Sequence, residues 1–133
     1  MWREKLLKWG QVLAAYLFWP VVCLVVWGEL NPHPIDMSFL IWNKAPHFLA
    51  YFGLAGMATV AFKGDRRTVT AVLGLIVLGG ILEVLQGFTG RDPAIFDEGV
   101  NTVGALLGSS TAWLLLRFLR PKILAPAGRD PRL

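Results

Sequence analysis

The sequence predicts an all-α fold, an integral membrane bundle of four transmembrane helices with both termini in the cytoplasm. Of the 133 residues, 55% are hydrophobic and only 17% are charged, a composition too apolar for a soluble domain. The apolar residues fall into runs of roughly 20 residues, the length that crosses a bilayer as a helix. Basic residues flank these runs, as they do in multi-pass membrane proteins.

The first predicted span covers about residues 9–28 and follows a basic start. It is too long for the apolar part of a signal peptide, and it lacks a small-residue cleavage pattern, so we expect it to remain in the protein. The other three spans are predicted at residues 44–62, 68–88 and 97–119. One membrane domain over residues 1–120 is therefore expected, followed by a basic, Pro- and Gly-rich cytoplasmic tail at 121–133.

The distribution of basic residues predicts the orientation of the bundle. All 13 Lys and Arg residues except Lys44 and Arg91 lie before the first span, between the second and third, or at and after the end of the fourth. By the positive-inside rule these regions are cytoplasmic. The connections at 29–43 and 89–96 are then expected outside.

Charge and cysteine content exclude several functions. The net charge of +4 does not indicate nucleic-acid binding, because the basic residues sit beside apolar segments and form no exposed stripe. Cys23 is the only cysteine and lies inside the first span, so one chain has no disulfide or CxxC redox pair. No serine elbow, Walker loop, HExxH or GxGxxG stands where its mechanism would need it, and no cofactor is expected.

Polar side chains within the spans gather near the outer end. Each ionisable one costs about 2.5–3.5 kcal/mol at the centre of a bilayer, so their positions are informative. In the second span Lys44, His47 and Tyr51 share one helix face by their spacing. The third and fourth spans carry two similar stripes, Glu83 with Gln86, and Asp97 with Asn101, Gly104 and Gly108. These two glycines are expected to serve helix packing, together with Gly53 and Gly56 in the second span and Gly74, Gly79 and Gly80 in the third. The three stripes are predicted to line one pocket that opens to the outer leaflet.

The chemistry of these side chains suits an anionic headgroup, with cations on a phosphate and other groups available for proton transfer. The candidate catalytic residues are His47, Glu83 and Asp97. The candidate ligand-binding residues are Lys44, Tyr51, Gln86, Arg91 and Asn101. One His and two carboxylates are also suitable metal ligands, but no ligand spacing within one helix supports a site, so no metal is predicted.

Several candidates have a structural alternative. Arg91 can be a headgroup anchor or an ion-pair partner of Asp92 or Asp97. Glu83 can form a purely structural ion pair with Lys44 or Arg91. Asp97 can be the N-cap of the fourth span, and Tyr51 can belong to an aromatic belt or to the packing. Simple hydrogen bonding stays open for His47 and Asn101.

Four short strings give the order of these residues: Asn43-Lys44-Ala45-Pro46-His47-Phe48-Leu49-Ala50-Tyr51-Phe52, Glu83-Val84-Leu85-Gln86, Gly90-Arg91, and Asp97-x-x-x-Asn101-Thr102-x-Gly104-Ala105-x-x-Gly108. This pattern, over about residues 43–113, resembles the VanZ-like family of small bacterial membrane proteins. The resemblance implies four or five helices and a link to resistance to the glycopeptide teicoplanin. It implies functional roles for Lys44, His47, Tyr51, Glu83, Gln86, Arg91, Asp97, Asn101 and Gly104. The sequence departs from the family at Asn43, often Asp there, and at Ala94, where a polar residue is common.

The leading hypothesis is a multi-pass protein of the bacterial cytoplasmic membrane that binds or processes an anionic envelope lipid or a lipid-linked envelope precursor. A homo-oligomer or a membrane protein partner is compatible with so small a bundle. One alternative is a structural or accessory protein whose polar residues lock the helices or dock a partner. Proton or ion translocation is a weaker alternative, because the cytoplasmic halves of the spans offer no titratable residues to continue a path.

Overall fold

The computed structural model describes residues 1–33, 44–90 and 94–120. These residues form four α-helices: α1 (Trp2–Leu30), α2 (Ala45–Ala61), α3 (Arg66–Gln86) and α4 (Ile95–Leu119). No strand occurs in the three described ranges, and the all-α prediction is confirmed. The tail predicted at 121–133 lies outside these ranges.

Three of the helices, α1, α3 and α4, are long and apolar enough to cross a membrane. The remaining helix, α2, has 17 residues and is apolar along its length. At a rise of about 1.5 Å per residue it extends about 25 Å, a little less than the hydrocarbon thickness of a typical bilayer. The sequence predicted each of the four helices to within a few residues, apart from the start of α1, which begins at Trp2.

The surface of the bundle is more apolar than that of a soluble protein, while its interior combines a hydrophobic core with several polar side chains. Large apolar side chains on α1, α3 and α4 point outward, among them Trp9, Leu24, Leu73, Val77, Leu107 and Phe118. The buried polar side chains are Glu29, Thr59, Thr68, Glu83, Gln86, Asp97 and Asn101. A continuous apolar surface of this kind has no place in water, and it identifies the chain as a membrane protein.

Close backbone contact joins α2 to α4, the most extensive helix contact in the bundle. A Cβ atom added at Gly104 would lie 2.6 Å from the carbonyl oxygen of Phe48. One added at Gly108 would overlap the carbonyl oxygen of Phe52. The packing prediction is therefore confirmed for these two glycines, as expected where helices associate through close approach. At Gly53, Gly74 and Gly80 an added Cβ would meet nothing within 4 Å, so the prediction is wrong for these three.

The turn between α2 and α3 is fixed by backbone geometry and capping. Lys63 and Gly64 adopt left-handed conformations, with φ of 59° and 68°. Asp65 is the N-cap of α3, and its side chain accepts a hydrogen bond of 2.8 Å from the backbone N–H of Arg67. The Arg120 guanidinium donates to the carbonyl oxygen of Lys63. The end of α4 is thereby tied to this basic turn.

One sequence-based boundary is wrong. Glu29 was expected in the connection at 29–43, but it belongs to the last turn of α1, and it is buried with 7% of its surface exposed. The helix continues to Leu30 because Pro32, rather than the charge, sets its end. A residue that precedes proline avoids the helical region, and Asn31 is extended, with φ −67° and ψ 121°.

Candidate functional site

Charged and polar side chains from all four helices meet at one end of the bundle. The site is formed where α1 and α3 end and where α2 and α4 begin. We call these residues the polar cluster: Glu29, Lys44, His47, Tyr51, Glu83, Asp97, Glu98 and Asn101.

A chain of neighbouring polar side chains links α1, α2 and α4. Lys44, the N-cap residue of α2, pairs through Nζ with Oδ1 of Asp97. One turn further on, Nε2 of His47 lies 3.7 Å from Oδ2 of Asp97. The other ring nitrogen, Nδ1, lies 3.8 Å from Oε1 of Glu29. The imidazole is thus positioned between two carboxylates.

Asp97 is not the N-cap of α4, so that alternative is wrong. The cap position is Ala94, whose side chain makes no capping bond, and Asp97 lies in the first turn. Its backbone N–H donates to the carbonyl oxygen of Ala94 at 2.7 Å. The carboxylate is therefore available to pair with Lys44, while it still benefits from the positive end of the helix dipole.

Glu83 is buried, with 6% of its surface exposed. Its Oε2 accepts a hydrogen bond of 3.0 Å from the backbone N–H of Ala94, and this bond joins the end of α3 to the start of α4. Among the described residues its other oxygen, Oε1, has no hydrogen-bond partner. The structural pairing of Glu83 with Lys44 does not form, because Lys44 pairs with Asp97.

Tyr51 is fully buried in the centre of the bundle, so the aromatic-belt alternative is wrong for it. The carboxylates of Glu29, Glu98 and Glu83 all act electrostatically on its hydroxyl. Glu98 is held within α4 by hydrogen bonds that its side-chain oxygens accept from the Asn101 amide at 3.5 Å and the Thr102 hydroxyl at 3.2 Å.

Two acidic members of the cluster, Glu29 and Glu98, were not predicted from the sequence. Glu98 shares a helix face with Asn101 and Thr102 at spacings of three and four, a signal that the stronger stripe beginning at Asp97 obscured. Glu98 also requires Gly79 on α3, where an added Cβ would lie 2.5 Å from Oε2 of Glu98. Glu29 has no polar neighbour at such a spacing. Its place in the cluster follows only from the position at which α1 ends.

The remaining predicted residues take different places. Gln86, the last residue of α3, is buried, but its amide nitrogen finds no hydrogen-bond partner within residues 1–33, 44–90 and 94–120. Gly104 is a packing residue against Phe48 and offers the site no functional group. Arg91 lies outside the described residues, and so does Asn43.

The cluster offers a set of metal-ligand types from three different helices. One donor atom each from His47, Glu83 and Asp97 lies within 4.8 Å of the other two. Spacing within a single helix could not predict this set, because the fold assembles it from α2, α3 and α4. Around these residues the carboxylates of Glu29 and Glu98 give the cluster more negative than positive groups.

No protein family, curated protein or solved structure matches this chain in comparisons of its sequence and its structure. The resemblance to the VanZ-like family therefore stands on the order and spacing of the polar residues alone.

Proposed function

We propose that this chain is a VanZ-like protein of the bacterial cytoplasmic membrane that binds the phosphate-bearing headgroup of an envelope lipid or lipid-linked envelope precursor. In this proposal all four helices span the membrane, and both termini lie in the cytoplasm. The polar cluster then faces the outer leaflet, at the depth of the headgroups. By resemblance to the family, the function contributes to resistance to glycopeptides such as teicoplanin.

The observation that carries the proposal is the concentration of charge at one end of an otherwise apolar bundle. Burying ionisable and amide groups in a membrane protein is costly, and such groups usually mark a site of function. Lys44 lies at the edge of the cluster with 24% of its side chain exposed, where a phosphate oxygen can reach it. Arg91 is proposed as the second cation that contacts the headgroup.

Proton transfer is the chemistry that the cluster supplies if bonds are made or broken in the headgroup. His47 stands between the carboxylates of Asp97 and Glu29, at 3.7 and 3.8 Å, and we propose it as the group that exchanges a proton with the headgroup. Glu83 is the second acid–base candidate, because the Ala94 amide fixes only one of its oxygens. We propose Asp97 as the group that orients His47.

A structural or accessory role is the second candidate, and one observation favours it. The Lys44–Asp97 pair and the Ala94–Glu83 hydrogen bond tie the ends of three helices together, which is what a helix lock requires. Such a role predicts that substitutions in the cluster reduce folding and abundance without changing what the protein binds.

Native mass spectrometry of the purified protein, with identification of bound lipids, tests the proposal. We expect a phosphate-bearing envelope lipid to copurify with the wild type and to be lost from Lys44→Met, which lacks the ammonium group that we place on the phosphate. The matched control is Lys8→Met, the same exchange at an exposed position in α1. Retention of the lipid in folded Lys44→Met contradicts the proposal, and a folded wild type without any specific lipid favours the structural role.

A further inference from the structure

We propose that the polar cluster binds a divalent transition-metal cation, such as Mn²⁺ or Zn²⁺, with His47, Glu83 and Asp97 as its protein ligands. One imidazole and two carboxylates are a ligand set that suits these ions. α2, α3 and α4 each contribute one donor atom, and the three atoms lie within 4.8 Å of one another. Donors bound to one cation at about 2.1 Å are about 3–3.5 Å apart, so small side-chain rotations complete the site.

Glu83 provides an independent observation that points to a cation. The residue is more than nine-tenths buried, and the Ala94 amide holds only its Oε2. Its Oε1 has no hydrogen-bond partner in the part of the chain that the structure describes. A buried carboxylate oxygen without a partner is unfavourable in apolar surroundings, and coordination of a cation removes that cost.

The surroundings of the ligands match those of known metal sites. A histidine that binds a metal usually has a carboxylate or carbonyl at its other ring nitrogen. Here Nε2 of His47 faces Asp97, while Nδ1 faces Glu29 at 3.8 Å. Lys44 pairs with Oδ1 of Asp97, which leaves Oδ2 on the side of His47. Each ligand therefore has a second polar group beside it.

The net negative charge of the polar cluster explains why a bound cation would be required for the cluster to bind a phosphate. Against the one ammonium group of Lys44, the polar cluster holds four carboxylates, those of Glu29, Glu83, Asp97 and Glu98. This excess of negative charge repels an anionic headgroup. A divalent cation reduces it and can bind a phosphate oxygen directly. This bridging role rests on the function proposed above, whereas the metal site itself does not.

Titration with Mn²⁺, followed by the electron paramagnetic resonance signal of the free ion, tests the site. The full chain is purified in an uncharged detergent without phospholipid and freed of metal with a chelator. We expect one tightly bound Mn²⁺ per chain, and a dissociation constant that rises at least about tenfold in His47→Gln and Glu83→Gln. Glu4→Gln, the same exchange at an exposed position in the first turn of α1, should bind as the wild type does. Equal binding in all four proteins, or no binding by the folded wild type, overturns the metal site.

Pulsed electron paramagnetic resonance of the Mn²⁺-loaded wild type keeps the test independent of how the variants fold. Coordination by His47 predicts a nitrogen hyperfine coupling from the imidazole, and its absence overturns the site. In nanodiscs of phosphatidylglycerol we expect an added phosphorus coupling from a bound headgroup. Nitrogen coupling without phosphorus coupling supports the cation and contradicts its bridging role, so the two proposals can fail separately.

Discussion

At the scale of the residue, Asp97 joins the two basic side chains of the polar cluster, Lys44 and His47. Its Oδ1 pairs with Lys44 and its Oδ2 lies 3.7 Å from His47, so both oxygens are engaged by different partners on α2. The side chain of Asp97 is only 11% exposed, and charges in such surroundings interact more strongly than charges in water. The stability of this end of the bundle therefore depends on neutralisation of the Asp97 carboxylate by the Lys44 ammonium group.

Removal of the ammonium group should destabilise the protein. In Lys44→Met the carboxylate of Asp97 stays largely buried beside other acids without its cation, so we expect a loss of about 2 kcal/mol in the free energy of unfolding. Adding Asp97→Asn removes the unpaired charge and should recover much of this loss. Reversible unfolding of the detergent-solubilised protein measures the single and double variants.

The exposed Lys8 in α1 provides the matched control, since Lys8→Met makes the same chemical change away from the cluster. It should leave the stability within a few tenths of a kcal/mol. If the effects of Lys44→Met and Asp97→Asn simply add in the double variant, the two side chains are not coupled and the ion pair has no energetic weight.

Residue patterns in the sequence predicted most members of the cluster, but not which of their side chains pair. Lys44, His47 and Tyr51 were found because one helix places them on one face, and Glu83 and Asp97 because charges inside apolar runs are rare. Which side chains pair could not be predicted, since Lys44 had several acids within plausible reach. The choice of Asp97 depends on how α2 and α4 cross.

At the scale of the element, small residues determine how closely α2 and α4 approach. Gly104 and Gly108 face the carbonyl oxygens of Phe48 and Phe52, which follow the same spacing of four on the other helix. This register also sets the polar cluster, because Lys44 and His47 must reach Asp97 from the adjacent turns of α2. Packing in the middle of the bundle and pairing at its end are therefore linked.

Adding one methyl group at Gly108 should separate the two helices. In Gly108→Ala the new Cβ would overlap the carbonyl oxygen of Phe52, a backbone atom that cannot rotate away, and we expect a loss of about 1–3 kcal/mol. Gly99 lies in the same helix, and a Cβ added there would meet nothing within 4 Å, so Gly99→Ala is the matched control. It should be neutral or stabilising, by up to about 1 kcal/mol.

Thermal unfolding of the two alanine variants, followed by circular dichroism, distinguishes them. A Gly108→Ala protein as stable as Gly99→Ala would show that α4 can shift along α2 without loss. In that case the lysine–aspartate pairing would also tolerate the shift, and the link between packing and pairing would not hold.

At the scale of the whole molecule, the apolar runs were enough to predict that the helices exist. They did not predict the residues at which the helices end, or which side chains meet there. Hydropathy located α1, α3 and α4 because bilayer thickness sets their length. The end of α1 was missed, since the run of apolar residues stops at Gly28 while the helix continues to Leu30. The depth of Glu29 relative to His47 follows only from that extra turn.

The membrane topology of the whole molecule depends on whether the short helix α2 crosses the bilayer. With the N-terminus in the cytoplasm, a spanning α2 places the segment after α3 outside and the C-terminus inside. If α2 lies beside the membrane and only three helices cross, both of these assignments reverse. We expect α2 to span: its centre, with Tyr51 and Leu54, is fully buried by the other helices, and bilayers adjust to a span several ångströms short at modest cost.

Labelling of intact cells with a membrane-impermeant maleimide decides between the two topologies. Since Cys23 is the only cysteine, a Cys23→Ala background allows one new cysteine at a time. We expect Thr89→Cys to be labelled from outside and Leu133→Cys only after permeabilisation, because the positive-inside rule predicts that the basic regions around Lys63 and after α4 are cytoplasmic. The reverse pattern would place the polar cluster at the cytoplasmic face, where no outer-leaflet headgroup could reach His47 or Glu83.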